Sequence, residues 1–541
     1  MKSRTLRNGV RGPWPRLVQG GALALLLAVP TQAQEIGSLH EQIAAALAGP
    51  STAPPWLIVP AITVRQEWTD NASQTTGSAK PQASFITVLV PSLAISGATS
   101  RVTANVYYAP SLSHYSSVSG QDRVSQNLNA TVKLSLIPDQ LFLDLRGFAA
   151  QQSLGGATAP AGTVALSRQN EVQTYSFSAS PYLNHRFGGW GTAQVGVAVS
   201  QTSQGALAGS QGNSPFVNGQ SNGLASQDVN TRQEFASFAS GENFGRLLSN
   251  VNLSASQSSG TGALQGAHRN TASYQAGYAI THGIVALASV GWEDIAYAGV
   301  DPLRIDDATW SVGGRLSPRP DSTVTLLYGH QNGVTAASLD ASYALTPRTH
   351  LYASYSDGVS TDTEQLQNAL TNAQLDPLGN PVNAQTGAPV LLTDNFFGVT
   401  GTVYRVRNLS VTASWLLDRD AVQATVRHQE QTPIGAAAGI GQVAAGGAAV
   451  ASQGSYGSLA WEHEVNAALR SNVFFQYGKL SQSFGGGHVD TDLLVGSAAL
   501  TYQLSETLSG SLEYSYTSNS YAAQVAGTAA NLVVLGVRKS F

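Results

Sequence analysis

The sequence predicts an all-β chain, a single-chain transmembrane antiparallel β-barrel of about 22 strands, within a range of roughly 18 to 24. Three observations predict it. Apolar and polar residues alternate with the period of two that a strand imposes, in segment after segment from Trp56 onward. Charged residues make up only 11% of the 541 residues, well under the roughly 25% usual in soluble domains, yet mean hydropathy stays near zero. That balance suits a wall with lipid on one side and a neutral polar lumen on the other. No later run reaches the roughly 20 apolar residues that a membrane helix requires, and closed barrels are the other way to satisfy a backbone in lipid.

The last stretch, Asn531 to Phe541, shows the pattern most plainly. Val533, Leu535, Val537 and Phe541 form one greasy stripe. Lys539 interrupts it only near the strand end, where a lysine reaches headgroups. Leu532, Val534, Gly536, Arg538 and Ser540 take the other face. A final strand ending in Phe resembles the C-terminal recognition strand of bacterial outer-membrane barrels. The resemblance implies that Val533, Leu535, Val537 and Phe541 are an assembly signal, with the barrel-assembly machinery and outer-membrane lipid as partners.

The start reads as an export signal. Lys2, Arg4, Arg7, Arg11 and Arg16 precede an apolar core from Leu17 to Val29, and Thr31-Gln32-Ala33 offers small residues for cleavage. The expected organisation is therefore a signal peptide over 1–33, a periplasmic N-terminal segment over 34–55 and a barrel over 56–541, in the cell outer membrane of a Gram-negative bacterium. Glu35 to Leu47 has helical spacing, broken by Gly49-Pro50 and Pro54-Pro55. This segment is too short for the globular plug of a TonB-dependent receptor. Cysteine is absent, which excludes disulfides, thiolate metal sites, a Cys nucleophile, covalent c-type haem and a lipid anchor on an N-terminal cysteine. Net charge is −4, so nucleic acid is not an expected partner.

Short turns are expected on the periplasmic side and longer loops outside. The turn candidates are Ser96 to Thr99, Pro138 to Gln140, Phe187 to Trp190, Asn243 to Arg246, Thr281 to Gly283, Pro318 to Asp321, Thr346 to Arg348, Asp418 to Asp420, Val465 to Ala467 and Leu504 to Glu506. Tyr404 to Asn408 reads as the middle of one long strand, which keeps the count even. The long outer loops are expected near Gln152 to Ser167, Gln204 to Gln227, Asp357 to Thr393 and Gln431 to Ser452. In the third, Thr361 and Glu364 have capping-box spacing. A short helix is therefore an alternative there to the plainer expectation of an irregular surface loop.

Alternation places Tyr107, Asp144, Arg146, His350, Tyr352, Glu462, Glu464 and Glu513 on the lumen side. Glu462 and Glu464 share a wall, with His463 opposite. A carboxylate pair can do acid–base work on a sugar, but lumen lining is the commoner role. Asp144 and Arg146 are expected to pair with charges on neighbouring strands. Asp70-Asn71 reads first as a turn. No HExxH, G-x-S-x-G, P-loop or dinucleotide motif stands in a suitable context. No catalytic residue, cofactor or metal site is expected, and the chain reads as a non-enzyme.

The order Trp56-Leu57-Ile58-Val59-Pro60, Glu67-Trp68-Thr69-Asp70-Asn71, Val90-Pro91-Ser92-Leu93, Arg101, Tyr107-Tyr108 and Asp139-Gln140-Leu141-Phe142-Leu143-Asp144 resembles an uncharacterised outer-membrane barrel family associated with the PEP-CTERM/exosortase system. The specific part covers about the first quarter of the mature chain. The resemblance implies a role in export or assembly of surface exopolysaccharide, with polysaccharide and periplasmic export components as partners. A lumen of Ser, Thr, Asn, Gln and Tyr suits a hydroxyl-rich polymer. The alternatives are a general diffusion porin, for which charge segregation at a constriction is expected, and a sheath barrel for a multihaem electron conduit.

Overall fold

The computed structural model describes residues 56–73, 75, 80–118, 120–153, 171–205, 227–298, 302–375, 381–383, 403–434, 451–484, 487–521 and 527–541. The expected signal peptide, the periplasmic segment and most of the four long outer loops lie outside them. One sheet of 24 strand segments closes on itself. Val102–Tyr108 and Ser111–Tyr115 both pair with Ser84–Ala98, and Arg123–Ser125 and Leu128–Ile137 face them in turn. Each of these couples is one interrupted strand, so the wall has 22 strands, all antiparallel to their neighbours. The region Tyr404 to Asn408 lies inside a single strand, Val403–Leu416.

Closure is made by the two ends of the barrel sequence. The first strand, Leu57–Thr69, pairs with the last, Thr528–Ser540, from Ala61 opposite Ser540 to Thr69 opposite Leu532. Phe541 donates its N–H to the Pro60 carbonyl at 2.9 Å. At the outer end of the same seam, the Asp70 carboxylate accepts from the backbone and side-chain N–H groups of Asn531, at 2.8 and 2.6 Å. Asn71 donates to the Ala529 carbonyl at 2.9 Å. The Asp-Asn pair that reads locally as a turn thus also fastens the first strand to the last. Deleting Phe541 is expected to remove most heat-modifiable barrel from outer-membrane fractions while leaving delivery to the periplasm intact. An unchanged heat-modifiable band would reject the terminal strand as the assembly signal.

The period of two is visible throughout the wall. In the first strand Ala61, Thr63, Arg65, Glu67 and Thr69 are buried, while Ile62, Val64 and Trp68 are exposed. Along the last strand Val533, Leu535, Val537 and Phe541 are exposed, and Leu532, Val534 and Arg538 are buried. The exposed face is the lipid face. It carries apolar side chains edged by aromatics: Trp68, Phe85, Trp292, Trp310 and Tyr328 near outer strand ends, and Trp56, Phe187, Trp190, Tyr502 and Phe541 at periplasmic ones. Such girdles mark the two interfaces of a bilayer. A closed barrel with a lipid-facing apolar band is an outer-membrane protein, because only closure removes unpaired edges from lipid.

The turns fall close to their expected places, with the first displaced by two or three residues and the last two by one or two, each toward the following strand. One tight turn breaks the expected asymmetry. Ser322–Gln331 and Val334–Thr346 join at the outer end through Asn332 and Gly333 alone, both at positive φ (54° and 69°). An Asn-Gly pair suits such a turn, since both residues tolerate the left-handed region.

Candidate functional site

The barrel's working surface is its lumen, and its most elaborate feature is at the outer mouth. The strand Thr349–Thr361 does not run into an irregular loop. It passes directly into an α-helix, Asp362–Asn372. Thr361 is the N-cap: its Oγ1 accepts the Glu364 N–H at 3.1 Å, and the Glu364 carboxylate accepts the Thr361 N–H at 2.9 Å. This reciprocal pair is the capping box that the spacing offered, and the expectation of an irregular loop over these residues is corrected by it.

Long-range contacts then place the helix. The Tyr297 hydroxyl donates to the Glu364 carboxylate at 2.8 Å and accepts from Arg269 Nη2 at 2.8 Å. Burial, reinforced by the Glu364 carboxylate, holds the Tyr297 hydroxyl well above its usual range, so it remains a donor. Arg269 also donates to Asn332 Oδ1 at 2.5 Å and to the Val359 carbonyl at 3.2 Å. Glu293 accepts the N–H groups of Asn332 and Gly333, each at 2.9 Å. The outer hairpin tip, the helix start and the wall are therefore one hydrogen-bonded unit. Asp362 accepts from Gln431 at 2.9 Å.

Farther along the helix, Gln367 donates to Thr202 Oγ1 and accepts from Thr231 Oγ1, both at 3.2 Å. Those hydroxyls belong to Gly191–Gln204 and Gln227–Ser240, strands far round the wall from the one that launches the helix. Leu366 is buried. Beside this polar unit lies an apolar core of Val229, Ala263, Leu264, Ile295, Tyr297, Ile305, Val359 and Val403. It joins the outer ends of strands from Gln227–Ser240 to Val403–Leu416. The helix and this core narrow the outer mouth.

Below the mouth, inward side chains form rows, because residues opposite each other across successive ladders share a face. One row runs Tyr352, Thr412, Thr425, Ser458, Gln476. The Thr412 and Thr425 hydroxyls meet at 3.1 Å, and the His350 and Tyr352 rings stack at 6.3 Å. A second row runs Glu462, Asn472, Ala499, Glu513, Val534, Glu67. Several polar atoms on this arc are buried without a hydrogen-bond partner: Tyr352 Oη, His350 Nδ1, Asn472 Oδ1, both amide atoms of Gln476, Glu513 Oε1, Asn519 Oδ1, and Arg65 Nε and Nη1. Gln476 is 0% exposed. An unsatisfied buried polar atom costs about 1–3 kcal/mol, so native walls satisfy such groups with water or a polar ligand.

Several formal charges on the inner wall are paired. Arg65 meets Glu67 at 3.1 Å, and Arg470 meets Glu464 at 3.6 Å. Asp144 and Arg146 pair with each other along one strand, at 3.0 and 3.1 Å. Lys133 on the neighbouring strand stands opposite Asp144. Glu462 is buried on the inner face, while His463 lies on the opposite face against Asp420 at 2.8 Å. Tyr107 is buried in an apolar inner patch with Ile86, Val88, Val90 and Tyr115. The structure thus places Glu462 and Glu513 in one row and His350 with Tyr352 at another, and it leaves Tyr107, Asp144 and Arg146 elsewhere on the wall. Among the described residues no group of three His, Cys, Asp or Glu side chains is arranged to hold a metal.

Sequence reasoning missed Tyr297, Arg269, Glu293 and Gln367. Only Glu364 carried a local signal, because its other partners are distant in the chain.

No protein-family model and no curated protein matches the chain. Among solved structures it is similar to Fiu, the ferric-catecholate import receptor of E. coli K12, in its open form: 10% identity, TM-score 0.47, covering 91% of this chain and 82% of that one. The siderophore receptor PiuA from Acinetobacter baumannii matches at 9% identity and TM-score 0.40, over 91% of this chain and 82% of that one. The FpvAI–pyocin S2 complex matches at 11% identity and TM-score 0.47, over 91% of this chain and 71% of that one. Similarity at this level transfers no ligand or partner to the present chain.

Proposed function

We propose that the chain is a non-enzymatic outer-membrane channel for a hydroxyl-rich, uncharged polymer, with surface exopolysaccharide as its cargo. The observation that supports this reading is the polar inner face, where rows such as Tyr352, Thr412, Thr425, Ser458 and Gln476 set hydroxyls and amides side by side across successive strands. A chain of sugar hydroxyls donates and accepts at every ring, so it exchanges many weak bonds with such a surface without any one strong bond. The local pairing of several inner-wall charges supports an uncharged cargo over a selected ion. A diffusion porin selecting by charge requires separated acidic and basic faces, whereas the Arg65–Glu67 and Asp144–Arg146 pairs cancel locally.

Cells lacking the chain are expected to hold newly made polysaccharide in the periplasm and to lose most of it from the surface, with restoration by the intact gene. Unchanged surface polysaccharide in those cells would contradict the export role.

A further inference from the structure

On the opposite side of the lumen from the polar arc, the inner wall carries a row of a different kind. Phe142 lies opposite Tyr182, Tyr182 opposite Gly196, and Gly196 opposite Phe235. Facing residues share a side of the sheet, so all four point inward with Asp144 and Ser180. The Phe142 and Tyr182 rings are stacked, with centroids 5.3 Å apart. Gly196 makes the row continuous: a Cβ there would stand 2.5 Å from the Phe235 ring and 2.7 Å from Tyr182 Cβ. Only glycine lets the Phe235 ring lie across this position.

The three aromatics are half-buried, unlike the buried Tyr107 and Tyr352. Phe142 is the second residue after a periplasmic turn, whereas Phe235 is well inside its strand. The row therefore climbs from the periplasmic mouth. It continues through Ser254 and Thr271 to Glu293, the residue that holds the outer hairpin tip. Lys133 places its Nζ 5.0 Å from the Phe142 ring centre and 5.9 Å from that of Tyr182.

We propose that Phe142, Tyr182 and Phe235 form a stacking track for the pyranose rings of a glycan entering from the periplasm, with the Lys133 ammonium donating to its hydroxyls. This rests on the polysaccharide reading above and assigns the entry subsite. A sugar ring has an apolar C–H face and a polar rim. The aromatic row offers the first a surface, and Lys133 with the inward Asp144–Arg146 pair on the same wall offers the second its polar partners. Half-exposed aromatics on one row serve a sliding polymer, because each ring accepts the next sugar as the last one leaves.

The test is binding of maltohexaose to the folded barrel in detergent micelles, read by saturation-transfer NMR, with heat-modifiable mobility as the check on folding. A variant carrying Phe142→Leu, Tyr182→Leu and Phe235→Leu keeps apolar volume and removes the ring faces. The expected result is transfer concentrated on the C–H face of the sugar in the wild type, and a Kd about tenfold weaker in the variant, the loss of aromatic contacts worth about 1.4 kcal/mol in total. An unchanged Kd in the folded variant would overturn the track while leaving the export reading standing. No binding by the wild type would overturn both.

Discussion

Glu364→Ala releases the helix at the outer mouth. The carboxylate holds three things at once: the Thr361 N–H, the Tyr297 hydroxyl and, at 4.0 Å, the Arg269 guanidinium. Losing its half of the capping box costs about 1 kcal/mol, and leaving the buried Tyr297 hydroxyl without its acceptor adds about 1–3 kcal/mol. A shift of 2–4 kcal/mol moves a docked–undocked equilibrium by roughly 30- to 1000-fold. Amides of the Asp362–Asn372 helix are therefore expected to exchange hydrogen faster by that order, and single-channel conductance is expected to rise. Unaltered exchange and conductance in Glu364→Ala would show that the helix is held by something other than this network.

Leu512→Arg is the second large effect. Leu512 is exposed on the lipid face of Leu508–Tyr521, between Gly510 and Tyr514. An arginine on the lipid face costs about 2–4 kcal/mol near the bilayer midplane. The inward control is Ser354→Arg. Ser354 stands directly opposite Asp340, whose inward carboxylate receives the new charge. Unfolding in lipid vesicles is expected to show the full loss for Leu512→Arg and a loss below about 1 kcal/mol for Ser354→Arg, as for an exposed ion pair. Equal losses would contradict the face assignment, and a reversed order would mean that the two faces have been exchanged.

The two substitutions mark what was legible in the sequence. Face assignment follows from backbone geometry alone, since a strand turns alternate side chains to opposite sides. That is why Glu513 and Leu512 could be separated without any structure. The periplasmic turns were equally local, carried by Pro, Gly, Asn and Asp. The Asn332-Gly333 turn had a strong local signal too, and it was obscured only by the expectation that outer connections are long. What could not be read is register. Phe142, Tyr182, Gly196 and Phe235 form one row only because three successive ladders align them, and the stagger between strands depends on closure of the whole barrel. The helix shows the same division. Thr361 and Glu364 announced the capping box three residues apart, whereas Tyr297 lies 67 residues from Glu364 and Gln367 meets Thr202 across 165. Partners at such separations are made by tertiary folding and leave no pattern in the chain.

The most direct test of the lumen as a path for uncharged, hydroxyl-rich cargo is flux through the purified barrel in liposomes. Two size-matched glucose oligomers are compared, one neutral and one oxidised to carry carboxylates, in wild type and in the Glu364→Ala variant with its mouth released. The neutral oligomer is expected to cross faster in both proteins, with the variant raising its absolute rate. Equal or faster passage of the carboxylated oligomer would contradict a wall built for neutral sugar.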